Sequence, residues 1–313
     1  MCGITGIFDT RGARAIDRAV LQRMNDSQIH RGPDEGSLHI EPGLGFGHRR
    51  LSIIDIATGQ QPLFNEDRSV VVVFNGEIYN YQELIPELQA LGHTFATKSD
   101  TEVIVHAWEA WGEDCVKRFR GMFAFALFDR NRDCLFMARD RLAVKPLYYA
   151  LLPNGTCLFG SELKSLLAYQ DAQGGLARDI DPLAVEEYFA LGYVAEPRTI
   201  FRQARKLEPA HTLLLRRGQP VPQPKEYWDV RFTLGNPVGI DEACAQLTEK
   251  LKESVRLRMI AEVPLGAFLS GGVDSSAVVA TMAGLSTEPV NTCSIAFDDP
   301  AFNEADIAGA RHM

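Results

Sequence analysis

Two short stretches of this chain carry residue types that can do chemistry. The first is Met1-Cys2-Gly3-Ile4-Thr5-Gly6, in which a cysteine directly follows Met1. A thiolate attacks a carbonyl carbon well, but it needs a base to take its proton. If Met1 is removed, Cys2 carries its own α-amine, whose reference pKa of about 7.7–8.0 lies near working pH. That amine can accept the thiol proton and pass it to a departing group, so no separate histidine is required. The plainer alternative is a small buried residue of the first strand, since free cysteine is among the most buried residue types. The second stretch is Leu269-Ser270-Gly271-Gly272-Val273-Asp274-Ser275-Ser276. Paired glycines let backbone approach a ligand closely, and serines offer hydroxyls. A helix starting just after them turns unpaired N–H groups toward the same space, which suits a phosphate. The octet lacks the lysine of Gly-x-x-x-x-Gly-Lys-Ser/Thr. Its plainer alternative is a tight turn capped by serine.

The elements that position these residues are legible in the apolar pattern. Strands are expected at Ile4–Phe8, Gly43–His48, Val70–Asn75, Met122–Asp129, Cys134–Arg139 and Leu147–Leu151. Val70-Val71-Val72-Val73-Phe74 is apolar throughout, as in a strand buried on both faces. Helical patterns cover Asp17–Ser27, Tyr81–Leu91 and Thr101–Trp111, and Asp181-Pro182 opens another through Leu191. Ser99-Asp100-Thr101-Glu102 has the Ser-x-x-Glu spacing of a capping box. Sheets covered on both faces imply a layered arrangement of helices and strands. Arg217–Pro224 is rich in proline and glycine and reads as a connector, with Tyr227-Trp228-Asp229 anchoring its end. Beyond it, Ala243, Leu247, Leu251, Val255 and Met259 recur every four residues, predicting a helix from Asp241 to about Ile260. A strand at Pro264–Leu269, the glycine turn and a further helix form a β-turn-α unit, and a second strand is expected at Asn291–Phe297.

Composition bounds the function. The 313 residues are long enough for two domains, and 46% hydrophobic with 23% charged content fits a globular protein. No apolar run approaches the roughly 18 residues of a membrane helix, and the N-terminus does not read as a signal peptide. The net charge of −9, without a basic cluster, argues against a nucleic-acid partner. The six cysteines are scattered without a Cys-x-x-Cys pair, so neither a zinc site nor a disulfide framework is expected. The expected compartment is the reducing cytoplasm.

The octet resembles the pyrophosphate-binding loop of the ATP-pyrophosphatase superfamily. The N-terminal half resembles class II glutamine amidotransferases, and the two in this order resemble glutamine-hydrolysing asparagine synthetases. The resemblance rests on Met1-Cys2-Gly3-Ile4, His30-Arg31-Gly32-Pro33-Asp34, His48–Asp55, Gln61-Pro62-Leu63, Asn75–Asn80, Ser99–Glu102, Gly121–Phe125 and Arg139-Asp140-Arg141. Within the family the chain is most similar to amidotransferases associated with exosortase and exopolysaccharide loci. The implied fold class is α+β: a four-layer αββα N-terminal-nucleophile hydrolase sandwich, followed by the first part of an α/β parallel-sheet ATP-pyrophosphatase domain. The implied domains are a glutaminase domain over 2–215, a linker over 216–240 and a truncated synthetase domain over 241–313.

The resemblance also implies roles. Cys2 is the nucleophile that hydrolyses L-glutamine to glutamate and ammonia through a thioester. The Asn75 side chain and Gly76 N–H bind the oxyanion, at the point where the strand Val70–Phe74 is expected to end in a turn. Arg50 pairs with the glutamine α-carboxylate, while Asp100, Glu77 and the Gly76 carbonyl receive its α-ammonium. An Asn-Gly turn, a surface arginine and a helix-capping Asp100 are the plainer alternatives. His30 and Arg31 shape the pocket mouth, or His30 is structural. Leu269, Ser270, Gly271, Gly272, Asp274, Ser275, Ser276 and Ile295 bind ATP with Mg2+, and no protein metal ligands are expected. Partners are then L-glutamine, ATP and L-aspartate or another acceptor, with a homodimer left open.

Two departures matter. The family reads Arg-Asp-Arg-Phe-Gly where this chain has Arg139-Asp140-Arg141-Leu142-Ala143. If that glycine holds positive φ, alanine costs stability there. The chain also ends at Met313, whereas family synthetase domains continue well beyond, so glutaminase activity without asparagine synthesis is expected. The alternatives are an N-terminal-nucleophile amidase with another donor or acceptor, and an inactive nucleotide-binding module.

Overall fold

Period-two alternation sets the layering. In the first strand Ile4 and Phe8 join one apolar cluster and Ile7 another, so the strand is buried on both faces. The structure, a computed structural model, describes residues 1–295 apart from 173, 234, 236 and 237. Its first compact unit is Met1–Val230 and its second begins at Arg231. Strands that carry the first unit are β1 (Gly3–Asp9), β2 (Glu35–Glu41), β3 (Leu44–Arg50), β4 (Leu63–Phe64), β5 (Val70–Ile78), β6 (Gly121–Asp129), β7 (Cys134–Arg139), β8 (Tyr148–Leu151) and β9 (Thr156–Gly160). The helices that matter most are α1 (Arg18–Asp26), α2 (Tyr81–Ala90) and α3 (Asp100–Trp111).

One six-stranded sheet runs Ala204–Lys206, β8, β9, β1, β3, β2; the other runs Lys225–Glu226, His211–Arg216, β7, β6, β5, β4. Pairing within both is antiparallel. Ile4, Phe8, Phe46 and Phe159 of the first sheet pack with Val71, Val73, Phe128 and Met137 of the second. Each such fully buried side chain contributes about 1.5–3 kcal/mol of apolar burial. The first sheet's other face packs on α1 and the helix Leu163–Leu167 through Leu21, Met24 and Leu166. On the second sheet's outer face, Trp108 of α3 stacks on Phe136 of β7 at 4.8 Å. The layers are therefore helix, sheet, sheet, helix. Close packing explains Gly6: a Cβ there would collide with the Phe159 ring and the Gly45 carbonyl.

Several sequence expectations differ from the observed chain. β5 does not end before Asn75. It continues to Ile78, with Asn75 opposite Ala124 and Gly76 opposite Phe123, because β6 offers partners along its whole length. Ser99 caps α3 by accepting the Thr101 N–H at 3.2 Å, but no capping box closes. Glu102 instead accepts the N–H groups of Ala96 and Thr97, both at 2.7 Å. Strands β2 and β9 and His211–Arg216 carry no apolar run long enough to stand out in the sequence. The proline-rich segment after Arg216 is tied to the first unit: Arg217 donates to the Asp9 carbonyl at 2.7 Å, and Tyr227 Oη donates to the Arg139 carbonyl at 2.8 Å.

In the second unit the helix Ile240–Arg258 precedes Gly266–Phe268, which pairs in parallel with Asn291–Cys293 across the intervening helix Val273–Leu285. The strands are shorter than the sequence pattern suggested; Phe297 and the tail to Met313 lie outside the described residues. Among the described residues no helix is long and apolar enough to cross a membrane.

Candidate active site

The open edge of β5 organises the site. Along a strand, alternate residues turn their N–H and C=O to the same edge. Phe123, opposite Gly76, uses both backbone groups on Asp140: its N–H donates to Oδ2 at 3.1 Å and its carbonyl accepts the Asp140 N–H at 2.7 Å. Gly76 therefore turns its own N–H and carbonyl away from β6. On that edge Phe74 is bracketed by Gln61, whose Oε1 accepts the Phe74 N–H at 2.7 Å and whose Nε2 donates to its carbonyl at 3.2 Å. Two residues beyond Gly76, the Ile78 N–H donates to Asp100 Oδ2 at 2.9 Å. Gly76 thus faces a gap between two side chains that each imitate a neighbouring strand. A Cβ at Gly76 would collide with the Met122 carbonyl, so the close β5–β6 approach requires glycine.

That gap opens into a cavity of about 190 Å3 whose wall includes Cys2, Arg50, Asn75, Gly76, Glu77 and Asp100. All six glutamine-site residues expected from sequence meet there, drawn from β1's entry, β3, β5 and α3. The Asn75 side chain is 1% exposed, and among the described residues neither its amide nitrogen nor its oxygen has a hydrogen-bond partner. A buried amide left without partners costs about 1–3 kcal/mol, so it calls for a reason.

Arg50 is buried at the end of β3. Its guanidinium donates to the Asp55 carbonyl at 2.6 Å and the Ile56 carbonyl at 3.2 Å, which fixes its plane. Such a fork can present two parallel N–H groups to a carboxylate. Asp100 is the first residue of α3, not its cap. Burial, with some repulsion from Glu77, pushes its carboxyl up to about 7. A cation arriving beside it would restore the ionised form.

Cys2 Sγ lies 3.4 Å from the Leu51 nitrogen, which donates to it. Its carbonyl accepts Arg31 Nε at 2.9 Å, and two residues further along, the Ile4 N–H donates to Ser161 Oγ at 3.0 Å. Burial pushes the thiol up, opposed by the Leu51 N–H and by the charges of Arg50 and Lys145. A thiol pushed in that direction calls for a base to take its proton. His30 does not line the cavity; it is half exposed and pairs with Glu162 at 2.8 Å. Arg31 holds the Cys2 backbone instead of forming the mouth.

Three contributors had no assigned role in the sequence reading. Gln61 is one. Lys145, buried on the cavity wall, is the second, and burial holds its ammonium below the usual lysine range. The third is Asp140, whose carboxylate accepts the N–H groups of Leu142, Val144, Lys145 and Phe123 at 2.9–3.1 Å. It folds the turn that delivers Lys145. Ala143 in that turn has φ of +55°, so the alanine does occupy a left-handed position. Gln61 and Asp140 lay inside strings already noted, and Lys145 just beyond one, but no spacing rule singles them out.

In the second unit the glycine turn joins the strand Gly266–Phe268 to the helix Val273–Leu285, as the octet implied. Gly271 has φ of +76°, a glycine conformation. Ser270 Oγ and Ser275 Oγ lie 3.1 Å apart across the turn, and Gly272 stands at the helix cap without a side chain to cover the first N–H groups. Leu269 is buried, its N–H donating to the Cys293 carbonyl at 2.9 Å, while Ile295 is half exposed beyond the neighbouring strand.

A layered sandwich with a cysteine at the start of its central strand defines the N-terminal-nucleophile class of glutamine amidotransferase folds. A solved Bacillus subtilis glutamine phosphoribosylpyrophosphate amidotransferase superposes with a TM-score of 0.51 at 16% identity, covering 96% of this chain and 68% of that one. Residues 1–228 match the glutamine amidotransferase domain family, and the chain belongs to it. Residues 246–311 match the asparagine synthase family. The chain is 38% identical to asparagine synthetase [glutamine-hydrolyzing] 1 of Bacillus subtilis, over 98% of this chain and 48% of that one. It is 39% identical to a putative asparagine synthetase of Mycobacterium tuberculosis, over 100% of this chain and 51% of that one. It is 35% identical to an amidase, chyE, of Penicillium rubens, over 91% of this chain and 43% of that one. The chain thus spans about half the length of the curated relatives it matches.

Proposed function

We propose that this chain hydrolyses L-glutamine at Cys2, and that in full-length proteins of the family the ammonia so released serves an ATP-dependent amidation in which aspartate becomes asparagine. The observation that carries the reading is the shared cavity: a thiol, a buried arginine fork, a buried carboxyl and an unpartnered Asn75 amide on one wall. Glutamine supplies a matching group for each. Its α-carboxylate pairs with Arg50, and its α-ammonium lies among Asp100, Glu77 and the Gly76 carbonyl. Its side-chain carbonyl then faces Cys2.

Removal of Met1 supplies the base. With Met1 in place the Cys2 nitrogen belongs to a peptide bond. Once released, the α-amine takes the thiol proton as sulfur bonds to the amide carbon. The oxyanion accepts from Asn75 Nδ2 and the Gly76 N–H, which is the type of stabilisation that contributes most in acyl transfer. The amine returns the proton as the C–N bond breaks and ammonia leaves. Water, deprotonated by the same amine, then cleaves the thioester to glutamate and frees the thiol.

The turn Ser270–Ser276 offers hydroxyls, backbone donors and a helix N-terminus to the phosphates of ATP, with Leu269 and Ile295 beside the adenine. Mg2+ would neutralise phosphate charge there, and Asp274 is the carboxylate of that turn able to meet it. The reading is tested by incubating the purified chain with glutamine and following glutamate release, with mass analysis of the N-terminus. Glutamate release by the Met1-free form, and none by Cys2→Ala, is expected; release by Cys2→Ala overturns it. A second reading keeps the glutaminase half and changes the acceptor, as the similarity to an amidase suggests; ATP turnover to AMP across a panel of carboxylic acids separates the two.

A further inference from the structure

Outside the glutamine cavity, four side chains from three segments converge. Glu66 lies in the turn between β4 and β5, His93 follows α2, and His106 and Glu109 share a face of α3 at i and i+3. Each offers one ligand atom, and these atoms all lie within 4.8 Å of one another. His106 Nδ1 is 3.3 Å from Glu109 Oε2 and 3.6 Å from Glu66 Oε2; His93 Nδ1 is 3.7 Å from Glu109 Oε2 and 3.9 Å from the other Glu66 oxygen, Oε1. A tetrahedral zinc with bonds of about 2.0–2.1 Å holds its ligands about 3.3 Å apart. Bringing all four to that spacing requires the widest pairs, which lie within 4.8 Å, to close by up to about 1.5 Å.

The surroundings orient the same four atoms. Asn65 Nδ2 donates to Glu109 Oε1 at 2.7 Å, leaving Oε2 toward the histidines. The Thr94 N–H donates to Glu66 Oε1 at 2.8 Å. Behind His106, the Glu102 carboxylate lies 3.6 Å from Nε2, beyond hydrogen-bond length, on the ring edge opposite Nδ1. The His106 side chain is fully buried, so its orientation is set by packing against Phe95, whose ring is 4.6 Å away. Both imidazoles aim the same nitrogen at the same carboxylates. Each ring can hold its own proton against these carboxylates; a divalent cation in place of those protons meets two neutral imidazoles and two carboxylates at once and balances their charge.

We propose that Glu66, His93, His106 and Glu109 bind a zinc ion that ties the β4–β5 turn, the segment after α2 and helix α3 together. The donor set is two imidazoles and two carboxylates, with no cysteine, which is why cysteine spacing in the sequence did not announce it. With four protein ligands the site is structural. Its competitor is a metal-free ion-pair cluster in which His106 carries the charge.

The test uses the full chain, stripped with a chelator, reloaded with zinc and desalted. Wild type is compared with the double variant Glu66→Gln, His93→Gln, whose changes fall on exposed or half-buried positions away from the glutamine cavity. Retained glutaminase activity shows that the variant folds. Wild type is expected to hold one more equivalent of zinc than the variant and to melt at a higher temperature with zinc than without; the variant loses both. Cobalt in the same site is expected to give tetrahedral visible bands without a sulfur charge-transfer band. Equal zinc in the two proteins, a sulfur band removed by blocking the thiols, or a midpoint indifferent to zinc overturns the proposal.

Discussion

Asp100 accepts the Ile78 N–H at 2.9 Å, which fastens the helix carrying the carboxyl to the strand carrying Asn75 and Gly76. The bond occupies one oxygen of a buried carboxyl whose pKa is pushed up to about 7. Both ends of a bound amino acid would then be gripped by groups whose spacing is set by backbone.

The raised Asp100 carboxyl has two consequences of opposite sign. An unfolded aspartate gives up its proton near 3.8, the folded one near 7. Between those values the native state holds more protons, so this group's stabilising contribution is full below 3.8 and is lost as pH rises to about 7. Glutamine capture needs the ionised form, so KM for glutamine is expected to rise as pH falls below about 7. Asp100→Asn is expected to remove that dependence and lower kcat/KM by about 2–5 kcal/mol, or roughly 30-fold to several thousand-fold. A pH profile of both proteins checks this; an unchanged profile in the variant rules it out.

Asn75 should separate activity from stability. Its side chain has no partner among the described residues, so Asn75→Ala breaks no hydrogen bond within the chain. Unfolding midpoints are expected to stay level or rise slightly. Loss of an oxyanion donor lowers kcat by about 100- to 1,000-fold with little change in KM. A large stability loss would mean that the amide is structural.

Gln61 behaves in the opposite way. Gln61→Ala leaves the buried Phe74 N–H without its acceptor, a cost of about 1–3 kcal/mol, while the Phe74 carbonyl keeps His48 Nε2 at 3.2 Å. Chemical denaturation is expected to show that loss with an unchanged m-value. Because Phe74 precedes Asn75, kcat should fall too, and a variant equal to wild type in both readouts refutes the role.

Ala143 is a site where the natural residue costs stability. Alanine in the left-handed region costs about 1–2 kcal/mol, and glycine gives back about 0.4–1 kcal/mol through unfolded-state entropy. Ala143→Gly is therefore expected to stabilise by up to about 1.6 kcal/mol, read from the denaturant midpoint. Asp140→Ala should destabilise much more, since four N–H groups lose their acceptor.

The sequence by itself determined the strands that are apolar on both faces and the caps and prolines that open helices, and its family resemblance named the six residues that line the cavity. These are local or motif-borne, so residue type and spacing carry them. Tertiary structure alone decided that the strand runs on through Gly76 to Ile78, because only pairing with β6 carries β5 that far. It alone gave Gln61 and Asp140 their work as substitutes for missing backbone partners, since each serves groups from 13 to 17 residues away. The convergence of Glu66, His93, His106 and Glu109 is likewise a product of folding. The distance between segments on the outer face of a sheet leaves no periodic trace along the chain.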